Sequence, residues 1–314
     1  MSRYAIGVDI GGTTVKLGLF SADGALLEKW EIPTNTQNDG VHILPDVAAS
    51  ISAVLAQKDI SHQDVIGVGV GIPGAVNAAG IVHKCDNLGW GMVDVKARMC
   101  ELLPHIPNIA VGNDANVAAL GELRRGVGTD YTSAVMFTLG TGVGGGVVLN
   151  SAIVSGTNGA AGEVGHFTVE PQETEVCGCG KRGCLEQYAS ANGIVRLARR
   201  MLAQCDTPSP LRTLDTFSAK DICDLARSGD PLASAILDRC AEYLGLAMSY
   251  VSSTVDPQVF IVGGGMSRAG AILIDAISRH YRRYTYHPTV QTPVIEAKLG
   301  NDAGIFGCAA MVLA

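Results

Sequence analysis

One histidine and three cysteines, His166, Cys177, Cys179 and Cys184, fall within nineteen residues of this chain. One imidazole and three thiolates complete a tetrahedral shell for structural zinc, and the soft sulfur donors favour that metal. Cys-x-Cys-x4-Cys amid Gly178, Gly180 and Gly183 does not suit ordinary core packing. Four protein ligands leave no open position, so a catalytic role for the metal is disfavoured. Glu163 and Glu186 flank the cluster. A metal-pinned loop that presents carboxylates suits a polyhydroxylated ligand.

Three apolar strands end in glycine turns: Asp9-Ile-Gly-Gly-Thr-Thr14, Thr138-Leu-Gly-Thr-Gly142 and Gly263-Gly-Gly265. Ligands of α/β proteins gather at such strand ends. Glycine lets backbone N–H groups approach a phosphate, and threonine hydroxyls add donors. Asp9, beside the first turn, is placed to bind Mg²⁺ directly or through water. A Walker A loop is absent, because the one Gly-Lys pair, Gly180-Lys181, is followed by Arg182. The G-x-G-x-x-G matches at Gly69 and Gly140 do not open helices, which excludes a dinucleotide fingerprint. Lys16 lies in the strand after the first turn and receives no role.

Gly112-Asn113-Asp114-Ala-Asn116 stands where a strand meets a helix, the ordinary place for an N-cap. Beside phosphate-binding turns a second reading gains weight. Phosphoryl transfer to an alcohol needs a carboxylate that orients the hydroxyl and accepts its proton. Asp114 is the candidate base, its ionised form favoured by the helix N-terminus, and Asn113 the candidate contact to a neighbouring hydroxyl. Glu163 and Glu186 as a glycosidase pair would leave the cysteines and the glycine turns unexplained.

These groups need strands that stop at turns and helices that cover them. Alternation of the two runs through the chain, so the class is α/β. Helical spacing covers Val41 to Gln57, Ala115 to Arg124, Asn192 to Gln204, Ser218 to Ser228, the segment from Asp230, Ala271 to Arg279, and Ala303 to Leu313. Ser218-x-x-Asp221 reads as a capping box, and Asp230-Pro231 as an N-cap with the first helical residue. The strand–turn–strand at Asp9 overlays the one at Thr138, a weak internal repeat that suggests two similar lobes. The arginines of the 192–204 helix read as a solvated face. Of 314 residues, 47% are hydrophobic and 17% charged, which supports a large buried core. A net charge of -7 with no basic run excludes nucleic acid and anionic membrane as partners. The six other cysteines, Cys85, Cys100, Cys205, Cys223, Cys240 and Cys308, read as reduced core residues of an intracellular, cytoplasmic protein. No signal-peptide pattern precedes the first strand. The uncharged stretch from Tyr131 to Gly162 is broken by glycine and polar residues, so it reads as short strands rather than a membrane span.

Together these segments resemble the ROK family of sugar kinases, and within it the bacterial glucokinases. The resemblance rests on Asp9-Ile-Gly-Gly-Thr13, Gly71-Ile-Pro-Gly74, Asn87-Leu-Gly-Trp90, Gly112-Asn-Asp-Ala-Asn116, Leu139-Gly-Thr-Gly-Val-Gly-Gly145, Gly162-Glu-Val-Gly-His166, Cys177 to Glu186 and Gly263-Gly-Gly265. It implies a two-lobed actin/hexokinase-like (ribonuclease H-like) fold, with ATP and sugar in the cleft and the zinc-pinned loop in the larger lobe. The small lobe would be 1-113 joined by a C-terminal helix at 301-314. The large lobe would be 114-300, with the zinc loop at 166-184. Asp114 would be the base, and His166, Cys177, Cys179 and Cys184 the zinc ligands. Gly74, Asn87, Asn113, Asp114, Glu163, His166 and Glu186 would surround the sugar. Asp9, Gly11, Gly12, Thr13, Thr14, Thr138, Gly140, Thr141 and Gly142 would handle phosphates, with Gly263, Gly264 and Gly265 near adenosine. A homodimer, or a tetramer, follows from the same resemblance.

The expected reaction is ATP- and Mg²⁺-dependent phosphorylation of glucose at the 6-hydroxyl. Alternative acceptors are fructose, mannose, allose, N-acetylglucosamine and N-acetylmannosamine, and polyphosphate is an alternative donor. A sugar-responsive repressor would need a helix-turn-helix before the first glycine turn, and eight residues precede Asp9. A silent sugar-binding protein would not need Asp114 with both phosphate turns.

Overall fold

The structure is a computed structural model that describes residues 3–313. Strands β1 (Tyr4–Ile10), β2 (Thr14–Ser21) and β3 (Leu26–Pro33) form a meander, followed by a single turn, α1 (Gln37–Gly40), and helix α2 (Ile43–Gln57). Then come β4 (Val65–Ile72), the short β5 (Ile81–Val82) and β6 (Val93–Asp94), α3 (Val95–Leu102), β7 (Ile109–Asn113) and α4 (Asp114–Arg125). The plan restarts with β8 (Ala134–Leu139), β9 (Val143–Leu149) and β10 (Ala152–Ile153). Helices α5 (Glu186–Ala189), α6 (Ala191–Gln204), α7 (Ala219–Arg227) and α8 (Pro231–Val255) precede β11 (Val259–Gly263). The chain closes with α9 (Ala271–Tyr284), β12 (Val294–Glu296) and α10 (Ala303–Leu313).

Two five-stranded sheets result, ordered β3-β2-β1-β4-β7 and β10-β9-β8-β11-β12. In each, the third, second and first strands are followed by two that run parallel to the first. The repeat read at Asp9 and Thr138 is thus a repeat of whole sheets. Met1–Thr129, Gly146–Gly162 and Asn301–Ala314 make one compact unit, Asp130–Gly145 and Glu163–Gly300 the other.

In the first unit α10 lies on β1 and β4. Glycine permits the approach: a Cβ at Gly69 would collide with the Cys308 carbonyl. Ala5, Phe20, Ile305, Ala309 and Val312 form the resulting apolar layer. Phe20 meets Phe306 edge-on at 5.1 Å, and the Cys308 thiol donates to the Val8 carbonyl at 3.1 Å. On the sheet's other face α2 buries Leu44, Val47, Ile51 and Leu55. In the second unit Phe260 of β11 packs between Phe137 and Tyr281, with ring centroids 6.2 Å and 5.3 Å away.

Local chemistry sets the helix ends. The Ser218–Asp221 capping box opens α7, and Asp230 accepts the Ala233 N–H ahead of Pro231. Tertiary packing overrides other expectations. Val41 precedes α2 and is 62% exposed, and Tyr250 on α8 is 43% exposed rather than in the core. Cys100 is exposed and Cys205 half-buried, so these two are not core cysteines. Helix α9 continues past Arg279 to Tyr284. The uncharged stretch forms β8 to β10. Among the described residues no helix is long and apolar enough to cross a membrane.

Candidate active site

Asp9 is the penultimate residue of β1, in register with Lys16 of β2 and Gly71 of β4. The start of α10 presses against it: a Cβ at Gly304 would stand 2.6 Å from Asp9 Cγ. Burial, and then the charge of Asp114, push the Asp9 pKa up to about 6, with Lys16 acting in the opposite sense. A buried carboxylate with a second one beside it suits a divalent cation. Lys16 itself donates to the Asn301 carbonyl at 3.1 Å. The turn that follows is tied down by Thr34: its hydroxyl donates to Gly11 O at 2.6 Å and its N–H to Thr13 O at 3.0 Å. The same turn closes on itself through Gly11 N to Thr14 O at 3.0 Å. A Cβ at Gly12 would lie 3.5 Å from Asn87 O, so Asn87 and this turn adjoin.

At the β7–α4 junction the two roles weighed for Asn113 and Asp114 separate. Asn113 is the N-cap, its Oδ1 accepting the Asn116 N–H at 3.1 Å. Its amide donates to Gly74 O and to Asp114 Oδ1, each at 3.0 Å. Asp114 Oδ1 also accepts the Ala115 N–H at 2.7 Å. Capping thus falls to Asn113, and Asp114 is held as an oriented carboxylate at a helix N-terminus. Gly74, Asn113 and Asp114 form one hydrogen-bonded group in the first unit.

In the second unit Thr138 lies in register with Gly263. Gly264, at φ +86°, sits so close to Leu139 that a Cβ would be 2.6 Å from its N. The second and third glycine turns therefore converge. Gly140, Thr141 and Gly265 border a cavity of about 530 Å³. Its remaining wall includes Ala219, Lys220 and Cys223 of α7, together with Met266 and Arg268. Sequence reasoning did not assign these. The capping box located α7, but no spacing signals which of its faces meets a distant turn.

The cysteine cluster assembles as expected. Ligand atoms of His166, Cys177, Cys179 and Cys184 lie within 4.8 Å of one another. Cys179 and Cys184 sulfurs are 3.6 Å apart, and Cys177 Sγ is 4.0 Å from His166 Nδ1. A zinc tetrahedron with Zn–S of about 2.3 Å has S···S edges of about 3.8 Å. Burial and the neighbouring thiols push the Cys184 pKa up to about 12. A cation is what would hold all three sulfurs together as thiolates. With Nδ1 facing the sulfurs, His166 turns Nε2 toward Glu163 Oε2, 4.0 Å away. Glu186 reaches both ways: Oε1 is 3.9 Å from Cys177 Sγ, and Oε2 accepts the Val143 N–H at 3.1 Å. Glu163, His166 and Glu186 are thus gathered about the cluster.

A buried ion-pair network anchors the loop between His166 and Cys177. Glu173, 1% exposed at its side chain, accepts from Arg196 at 2.6 Å and from Arg200 at 2.8 and 2.9 Å. Tyr188 and the Thr174 and Glu175 N–H groups complete its shell. Glu175 bridges the same two arginines, each at 2.7 Å. Arg196 and Arg200, read as a solvated face, are instead counter-charges for a buried carboxylate. The bonds to Arg200, foremost, hold Glu173 far below the usual carboxylate range.

The ROK family profile matches residues 5–314. The chain is 38% identical to the glucokinase of Halalkalibacterium halodurans, covering 97% of this chain and 93% of that one. It is 36% identical to the glucokinase of Streptomyces coelicolor, covering 97% and 96%. It is 31% identical to the N-acetylmannosamine kinase of Escherichia coli, covering 97% and 96%. Among solved structures, a ROK family glucokinase from Streptomyces griseus in complex with glucose and AMPPNP superposes with a TM-score of 0.75 at 33% identity, covering 98% of each chain. With the doubled sheet, the Cys3His cluster and the Asp114 junction in place, the chain belongs to the ROK family.

Proposed function

We propose that this protein transfers the γ-phosphoryl group of ATP to the 6-hydroxyl of glucose. The observation that carries the reading is Asp114, a carboxylate oriented by the Asn113 amide and the Ala115 N–H, with Asn113 itself held by Gly74 O. Two glucokinases at 38% and 36% identity support glucose over the amino-sugar acceptor of the relative at 31%. The cavity beside Gly140, Thr141 and Gly265, walled by Ala219 and Met266, supports a nucleoside donor over polyphosphate.

Asp114 accepts the hydroxyl proton as that oxygen attacks the γ-phosphorus in line, and the bond to the β-phosphate oxygen breaks to release ADP. Asn113, Glu163, His166 and Glu186 hold the other sugar hydroxyls, with Gly74 and Asn87 beside them. N–H groups of the Gly11–Thr14 and Thr138–Gly142 turns receive the phosphate oxygens, and Gly263 to Gly265 border the adenosine. Asp9 would hold Mg²⁺, which when bound neutralises charge on the β- and γ-phosphates. His166, Cys177, Cys179 and Cys184 would hold a zinc ion that fixes the loop carrying Glu163 and Glu186. A cytoplasmic homodimer completes the proposal, and sedimentation tests the dimer.

The test is ADP release from Mg-ATP against a panel of hexoses and N-acetylhexosamines, with Asp114→Asn alongside. Turnover on glucose that vanishes in the variant is expected. Turnover confined to another sugar would replace the acceptor, and turnover retained by the variant would remove Asp114 as the base.

A further inference from the structure

The phosphate-binding turn is joined at two points, within the second unit, to the helix starts that follow the zinc loop. At one end of the turn, Gly140 O accepts the Ala191 N–H at 2.8 Å. At the other end the Val143 N–H donates to Glu186 Oε2 at 3.1 Å. Between them the turn closes through Gly140 N to Gly142 O at 3.0 Å. The two partners are the first residues of α6 and α5, and Glu186 lies two residues after the metal-cluster Cys184. Gly142 completes the fit, because a Cβ there would collide with Glu186 Oε2. A hydrogen bond to a carboxylate is about twice as strong as a neutral one, so this pin is the firmer of the two.

We propose that Glu186 is a positioning residue for the phosphate-binding turn as well as a sugar contact, so that the zinc loop and the turn act as one body. The inference rests on the sugar and nucleotide sites of the proposed function. Its consequence is that changes at Glu186 are felt by the nucleotide when no sugar is present. Among the described residues Glu163 makes no such bridge: its side chain faces His166. The two glutamates therefore have distinct roles that sugar affinity alone would not separate.

The experiment measures AMPPNP affinity calorimetrically without sugar, then glucose affinity without nucleotide, for the wild type, Glu186→Ala, Glu186→Gln and Glu163→Gln. Zinc content and melting temperature are recorded for each. Loss of a charge-assisted hydrogen bond predicts AMPPNP binding weakened about 10-fold in Glu186→Ala. Glu186→Gln, which keeps the shape and a neutral acceptor, falls between and serves if the alanine variant does not fold. Glu163→Gln loses glucose affinity and keeps AMPPNP affinity. In the wild type the Val143 amide resonance also shifts when glucose is added alone. Unchanged or tighter AMPPNP binding in a folded, zinc-loaded Glu186 variant that has lost glucose affinity overturns the inference and leaves the kinase intact. A wild type that binds neither ligand overturns both.

Discussion

Asp9 should cost the protein stability at the pH where it works. Its native pKa of about 6 stands above an ordinary value of 3.8, chiefly through burial. The native state thus keeps this proton where the unfolded chain has released it, and stability falls as pH rises across that interval. The penalty is absent below about pH 4, grows to about pH 6 and is complete beyond it. The gap corresponds to about 3 kcal/mol, an upper bound because the site relaxes. Asp9→Asn keeps the shape and removes the charge. In Mg²⁺-free buffer at pH 7.5 its melting temperature should exceed that of the wild type by roughly 4–8 °C. At pH 4 the two proteins should melt together. Adding Mg²⁺ should narrow the difference, because a cation stabilises only the charged carboxylate. Chelators are omitted, since they would strip a metal held by the cysteine cluster. Phosphoryl transfer by the variant should fall by about 10²-fold or more. An Asp9→Asn variant less stable than the wild type at pH 7.5, or a difference that does not vary with pH, would refute the reasoning.

Glu173→Gln leaves two arginines short of a buried partner and should cost about 3–5 kcal/mol, read from thermal or denaturant unfolding. Because the native Glu173 pKa is depressed, that contribution is full above the ordinary carboxylate pKa and fades as the solution is acidified below about pH 4. A loss below about 1 kcal/mol would reduce the network to surface pairing. Asp114→Asn should abolish transfer while glucose affinity changes only a few-fold, since Asn113 keeps the cap; isothermal titration decides the second half. Removal of zinc should weaken glucose binding by more than about 10-fold, with zinc and not Mg²⁺ restoring it. A metal-free protein with unchanged glucose affinity would separate the cluster from the sugar.

What could be read before folding was whatever chemistry is local in sequence. The four metal-cluster residues span nineteen positions, so spacing alone announced them. The Ser218 box and the Asp230-Pro231 start were equally local. The doubled sheet showed through because both copies keep a strand, a glycine turn and a strand. The division of labour between Asn113 and Asp114 was not legible, because it depends on Gly74 O, 39 residues earlier. The Glu173 network was hidden for the same reason: Arg200 is 27 residues away, and its helix looked like a solvated one. Weak periodicity hid the short α3 and β12, whose positions come from the sheet they join or flank.

The closing helix sets an order of events during synthesis. Cys308 bonds to a carbonyl 300 residues earlier, and α10 covers the apolar face around Ala5 and Phe20. The second unit has its last residue at Gly300, whereas the first needs Asn301–Ala314. On the ribosome, the first unit therefore waits for residues that follow the whole second unit, one face of its sheet lacking a cover until then. A nascent chain halted at residue 300 would own every cysteine of the metal cluster and both later glycine turns. It would have no Gly304 against which to seat Asp9. Truncated translation products should then be aggregation-prone clients of chaperones rather than partly active kinases.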